Sequence, residues 1–238
     1  MGGKSKTAFS LHFKVKFVNM NKVNYQKVLE QIIEKNEWEN RVPTLLLHSC
    51  CAPCSSYCLE YLSNYFKITV FYYNPNIAPE EEYRKRVEEQ KRLIREMCRG
   101  YPVSFEEGVY DAERFYEMAK GLEDVPEGGE RCFRCYELRL REAAKTAQRL
   151  GMDYFTTTLS ISPLKNADKL NETGLALARE FQVDYLVSDF KKKDGYKRSI
   201  ELSQEYGLYR QNYCGCVYSQ TEARRREEQK QRKEKERN

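Results

Sequence analysis

Seven of the nine cysteines in this 238-residue chain fall into three tight groups: Cys50, Cys51 and Cys54; Cys132 and Cys135; Cys214 and Cys216. The groups stand far apart in sequence, so a fold that uses them together must bring distant loops to one place. Short spacings let neighbouring thiolates face one metal centre or exchange a disulfide. The opening Met1-Gly-Gly-Lys-Ser-Lys6 lacks an apolar secretory stretch, and no apolar run approaches the length of a membrane span. A cysteine-rich chain of this kind is expected in a reducing cytoplasm, where clustered thiols bind metals or do redox chemistry. At this length a hydrophobic core suffices for folding without disulfides.

From Val42 onward, strand and helix patterns alternate. Val42–His48 reads as a buried strand, Lys67–Tyr73 as a β-branched and aromatic one, and Pro102–Gly108 as a third, with two more at Met152–Leu159 and Asp184–Ser188. Helices are expected from Ser55, from the acidic start Glu80-Glu-Glu82, after the cap Asp111, and over Arg131–Leu150 and Asn166–Phe181. A final helix centres on Arg198–Tyr206. The expected fold is an open, mainly parallel, Rossmann-like α/β sheet with helices on both faces. Ligands collect outside the carboxyl ends of such strands. The loops that follow the strands, Cys50–Cys54, Asn74-Pro-Asn76, Ser160–Lys165 and Asp189–Gly195, therefore put the cysteines on the C-terminal rim.

Four thiolates suit a [4Fe–4S] cluster, and Cys51-Ala-Pro-Cys54 with Cys132-Phe-Arg-Cys135 equally suits a pair of zinc knuckles. Seven thiols exceed the need of one tetrahedral ion, which favours redox chemistry. Cys214-Gly-Cys216 would close a very small, readily reduced ring as a disulfide, or add two metal ligands. Cys58 and Cys98, among apolar helical neighbours, read as core residues. His48 tunes the site or is a hydrogen-bonded structural histidine. Tyr72, Tyr73, Tyr196 and Tyr213 are candidate stacking surfaces for a base, and Lys191–Lys193 a weak candidate for phosphates.

The net charge of +5 is uneven. Residues 1–20 hold four lysines and no acid, and residues 222–238 hold eight basic and five acidic side chains, which leaves the rest slightly acidic. The ends are expected to be solvated, partly disordered tails or transient contacts for RNA or an acidic partner.

Six motifs then occur in one order: His48-Ser-Cys-Cys-Ala-Pro-Cys54; Phe71-Tyr-Tyr-Asn-Pro-Asn-Ile77 with Glu82-Tyr-x-x-Arg86; Arg131-Cys-x-x-Cys-Tyr136; Thr157-Thr-Leu-Ser-Ile-Ser-Pro163 with Lys165; Phe190-Lys-Lys-x-x-Gly195; and Tyr213-Cys-Gly-Cys216. Together they resemble the cobalamin-independent epoxyqueuosine reductases of the QueH family. The resemblance implies an oxidoreductase that removes the epoxide oxygen of epoxyqueuosine in a tRNA anticodon loop, the last step of queuosine synthesis. It implies Cys50, Cys51, Cys132 and Cys135 as ligands of a [4Fe–4S] cluster and Cys214 and Cys216 as a catalytic, redox-active pair. Cys54 is left over from both sets, and with a carboxylate it would suit an additional iron ion. Partners implied are the tRNA and a separate electron donor, in the cytoplasm and not at a membrane. Asn74, Asn76 and Tyr213 are candidates to hold the splayed base, and Arg86, Lys165 and Lys191–Lys193 to meet phosphates. The corresponding layout is a basic extension over 1–41, a catalytic domain over 42–219 and a charged tail over 220–238. The competing readings are a zinc-organised RNA-binding module without catalysis and a nucleotide-using enzyme of tRNA thiolation. The second lacks a glycine-rich cradle after the first strand.

Overall fold

The computed structural model describes residues 23–97 and 100–235. Five strands form one parallel sheet: β1 (Thr44–His48), β2 (Lys67–Tyr72), β3 (Val103–Glu107), β4 (Tyr154–Thr157) and β5 (Asp184–Tyr185), in the order β3-β2-β1-β4-β5. In register, β1 sets Leu46 opposite Thr69 of β2 on one side and Phe155 of β4 on the other. The expected α/β class, with its parallel sheet, is what the chain adopts.

Period two along β1 builds two cores. Leu45 and Leu47 face one layer with Ile68 and Val70, where α2 (Ala52–Leu62) and α7 (Gly195–Glu205) bring Leu59, Leu62 and Leu202. Leu46 faces the other with Phe71 and Phe155, covered by Leu140, Ala143, Ala144 and Ala147 of α5 (Glu130–Arg149) and Leu170 and Leu177 of α6 (Ala167–Phe181). Helices on both faces explain why β1 reads as a continuous apolar run. α3 (Glu80–Met97) adds Leu93 and Met97 to the first layer, and α4 (Ala112–Ala119) starts at its Asp111 cap, which accepts from the Arg114 amide.

Several elements differ from expectation. Residues 25–38, placed with the N-terminal extension, form α1 (Tyr25–Trp38), which buries Leu29 and Ile33 in the first core and packs Tyr25 and Val28 against the second. β4 stops at Thr157 and turns into a 3₁₀ turn, Thr158–Ile161, capped by the Thr157 hydroxyl. β5 keeps only two residues. Beyond Leu186, side chains replace the ladder: Thr156 donates to the Leu186 carbonyl, and the Asn171 amide bonds both the N–H and the C=O of Ser188. A further helix, α8 (Val217–Lys235), follows the one expected to be last. Its Glu, Gln, Lys and Arg are good helix formers without an apolar period. The 220–238 segment is thus helical through Lys235. The basic residues 1–20 and Cys98 lie outside the described residues. Among the described residues no helix is long and apolar enough to cross a membrane.

Candidate active site

The chain crosses from one side of β1 to the other between β3 and β4, which opens a crevice at the carboxyl ends of β1 and β4. The first thiol loop begins there. Cys51 is the extended N-cap residue of α2 and Pro53 follows in the first turn, where a missing N–H costs nothing. No side chain caps this helix, and its dipole favours negative charge at this end. The sulfurs of Cys50, Cys51 and Cys54 lie within 4.8 Å of one another, a group able to hold a metal ion. Cys50 is fixed by Thr158: its amide donates to the hydroxyl at 3.3 Å, and the hydroxyl donates to its sulfur at 3.5 Å. Hydrogen bonds from Cys51 and Cys54, with the nearby Arg139 charge, hold the Cys50 thiol well below its ordinary pKa. The same sharing with Cys50 pushes Cys51 up to about 12 and raises Cys54. Of the three sulfurs, Cys50 is the one whose neighbours favour the thiolate.

The second thiol pair, Cys132 and Cys135, stands three residues apart in the first turns of α5 and so on one side of it. The Cys132 sulfur accepts from the Gly128 amide at 3.3 Å, and burial pushes Cys135 up to about 12. Both line a cavity shared with Cys214, Cys216, Asn76, Arg139 and Lys165. The third pair is pressed onto the loop after β2. Ala78 donates to the Gly215 carbonyl at 3.1 Å, and Arg86 donates to the Cys214 carbonyl at 3.2 Å. The Cys216 sulfur accepts from the Ser219 amide at 3.3 Å and packs with Cys135, Phe115 and Ala119.

Gly215 makes this fit possible. Its φ is +124°, and a Cβ there would meet Ile77 Cγ1 at 2.8 Å. Gly215→Ala is therefore expected to destabilise the protein by about 1–3 kcal/mol through backbone strain and crowding. It should also displace both thiols. Thermal unfolding and alkylation rates at Cys214 would check this, and wild-type values for both would refute it.

The structure relocates several candidates. Cys54, left over in the sequence reading, joins Cys50 and Cys51, and no described carboxylate shares their 4.8 Å group. His48 is fully buried, with Nδ1 2.8 Å from the Thr157 hydroxyl and Nε2 3.1 Å from the Tyr73 carbonyl. Burial and then Arg139 lower its pKa to about 3, so it is a neutral brace. Arg86 and Lys165 do not reach outward for phosphates: Arg86 pairs with Glu82 at 2.7 Å, and Lys165 with Glu127 at 3.1 Å inside the thiol cavity. Lys191 is tied to Asp189 and to the Ser160 and Lys165 carbonyls, and Lys193 to Glu30, whereas Lys192 is exposed. Asn74 is buried and bonded to Ser49 and Arg139; Asn76 lines the cavity with its Oδ1 unpartnered. Tyr72 and Tyr73 are core residues, while Tyr196 is exposed and Tyr213 half-buried beside Arg86. Sequence reasoning missed Glu127 and Arg139. For Arg139 a signal existed: it stands four residues after Cys135, on the same helix face.

Burial opposes the charge on Lys165, yet Cys214, Tyr136 and Glu127 around it hold its pKa well above the ordinary lysine value. The cavity thus combines thiols with an ammonium whose charge its neighbours favour.

Fold and site together define a class: a parallel α/β protein with a thiol-rich site at the switch point of its sheet. The family model described as epoxyqueuosine reductase QueH matches residues 45–222. Curated relatives with that name include one from Staphylococcus epidermidis, 46% identical over 202 residues that span 83% of this chain and 85% of the relative. One from Streptococcus pyogenes serotype M1 is 44% identical, spanning 84% and 81%. One from Thermotoga maritima is 35% identical, spanning 80% of this chain and 97% of its own. The chain belongs to the epoxyqueuosine reductase QueH family.

Proposed function

We propose that this chain is an epoxyqueuosine reductase acting on tRNA in the cytoplasm. The observation that carries the reading is its match, over more than four-fifths of its length, to relatives named for this reaction. Both epoxide C–O bonds break, a carbon–carbon double bond forms and the oxygen leaves as water, so the reaction consumes two electrons and two protons. A separate electron donor supplies the electrons.

The donor set is chemically suited to an iron–sulfur centre: buried and half-buried sulfurs at the N-terminal ends of α2 and α5, and a buried guanidinium nearby. Cys50, Cys51, Cys132 and Cys135 are the proposed [4Fe–4S] ligands, with Cys54 close enough to the first two to assist an additional iron. When bound, such iron supplies single electrons and Lewis acidity toward the epoxide oxygen. The chain's own groups do the rest. Cys214 and Cys216 hold two electrons as a dithiol and release them on closing a disulfide. Lys165, aimed by Glu127, is placed to donate a hydrogen bond to oxygen leaving within that cavity. Asn76 offers its unpartnered Oδ1 to a substrate N–H or O–H.

Anaerobically purified protein, given a low-potential reductant and tRNA bearing epoxyqueuosine, should yield queuosine on nucleoside mass spectrometry. Unchanged epoxyqueuosine in the presence of a full cluster would overturn the activity; stoichiometric zinc without iron or sulfide would favour the non-catalytic RNA-binding module.

The basic ends are expected to raise tRNA affinity without touching the chemistry. In α8 the truncation belongs after Glu228, because Glu222 accepts from the Glu127 amide at 2.9 Å and Arg226 approaches Glu127 at 3.5 Å. Removing residues 1–20 and 229–238 should weaken binding most at low salt and flatten the dependence of affinity on salt. An unchanged slope in filter-binding titrations would assign the ends another role.

A further inference from the structure

Among the described residues, the cations around the thiol site are matched with carboxylates, with one exception. Arg86 has Glu82, Lys165 has Glu127, and Arg131 has Glu222 at 3.4 Å. Arg139 is only 1% exposed, and no described carboxylate pairs with it. Its Nη2 donates to Asn74, whose Nδ2 donates to the Ser49 carbonyl, so the loop after β2 and the end of β1 fix the direction of the guanidinium. Its Nε and Nη1 have no hydrogen-bond partner. A buried, uncompensated ion costs several kcal/mol. Negative charge must therefore stand beside it in the working protein. The thiols close enough to act on its charge are Cys135, Cys214 and Cys50, one from each thiol group.

An iron–sulfur core held by four thiolates carries net negative charge, and reduction adds to it. The geometry points to Arg139 as the resident counter-cation of this centre, a positioning residue whose buried charge and unpartnered Nε and Nη1 donors favour the reduced form. The inference rests on the iron–sulfur reading above. Neutralising Arg139 should make reduction harder, because the added electron loses its nearest fixed positive charge. Asn74 orients the guanidinium and is the reason it stays between the thiol groups.

The test uses the full chain, prepared anaerobically without tRNA, as wild type, Arg139→Gln and Arg139→Lys. Iron and sulfide content, circular dichroism and the midpoint potential of the cluster are measured on each. The expected result is a midpoint shifted to more negative potential in Arg139→Gln and a smaller shift in Arg139→Lys, which keeps the charge but not the planar donors. Loss of the cluster from Arg139→Gln with retention in Arg139→Lys would also support the assignment. Full clusters at the wild-type potential in both variants would overturn it, as would loss from both in a folded chain, which would make Arg139 a structural brace. Wild-type protein without iron and sulfide would instead remove the iron–sulfur reading itself, and this inference with it.

Discussion

Cys214→Ser or Cys216→Ser is expected to abolish conversion of epoxyqueuosine while iron and sulfide content stay at wild-type levels. The reasoning is electronic and local. Two thiols store two electrons that a hydroxyl cannot, so the loss should reach the detection limit, at least about a hundredfold. Serine should be tolerated structurally, because what holds this segment is backbone: the Gly215 and Cys214 carbonyls bonded by Ala78 and Arg86. The Ser219 amide that donates to the Cys216 sulfur can donate equally to a serine oxygen. The small ring through Gly215 should oxidise and reduce as a unit, which mass mapping under alkylation would show. The competing role is ligation, since Cys214 and Cys216 line the same cavity as Cys132 and Cys135. Loss of iron from either serine variant would establish that role and end the division of the thiols into cluster ligands and redox pair.

What was legible in the sequence followed from strong local signals. The β1 run, the acidic opening of α3 and the Asp111 cap each declare an element without tertiary help, and alternation along the chain implied the parallel sheet. That β1 is central was not legible, since order within a sheet depends on which faces meet. β5 was overestimated because Val187 and Ser188 look like strand, while the competing partner, Asn171, is distant in sequence. α8 was missed because a helix of charged residues has no buried stripe; its anchors lie in its first half, Ser219, Ala223, Glu222 and Arg226. α1 was grouped with the basic extension on composition, although Leu29 and Ile33 carry a helical spacing.

The site divides in the same way. Cysteine spacing identified every thiol that the fold gathers, but not their partners. Whether a lysine is a surface contact or a buried ion pair is decided by the opposite charge. Glu127, the partner of Lys165, is 38 residues away in a loop without a motif. Arg86 was misread for a related reason: its partner Glu82 is four residues back on α3, but the burial that turns the pair inward comes from the Cys214–Cys216 loop, contributed from the far end of the chain.

The proposed cluster ligands carry the second large effect. Serine at Cys50, Cys51, Cys132 or Cys135 is expected to cut bound iron from about four atoms per chain to under about one, because an alkoxide is a poor substitute for a soft thiolate. Cys54→Ser separates two uses of the first loop. Cys54 shares hydrogen bonds with the Cys50 and Cys51 sulfurs, so it is close enough to replace either as a ligand. It lies one turn into α2, however, whereas Cys50 and Cys51 precede the helix and are set by Thr158 and the N-cap. If the four proposed ligands suffice, Cys54→Ser should keep the characteristic visible absorption and the sulfide of the cluster. At most it should lose iron in excess of the cluster. Iron, sulfide and absorption measured on all five variants, anaerobically and side by side, decide the matter. Full cluster in Cys132→Ser or Cys135→Ser together with loss in Cys54→Ser would move the centre onto the Cys50–Cys51–Cys54 trio and leave α5 to the redox pair.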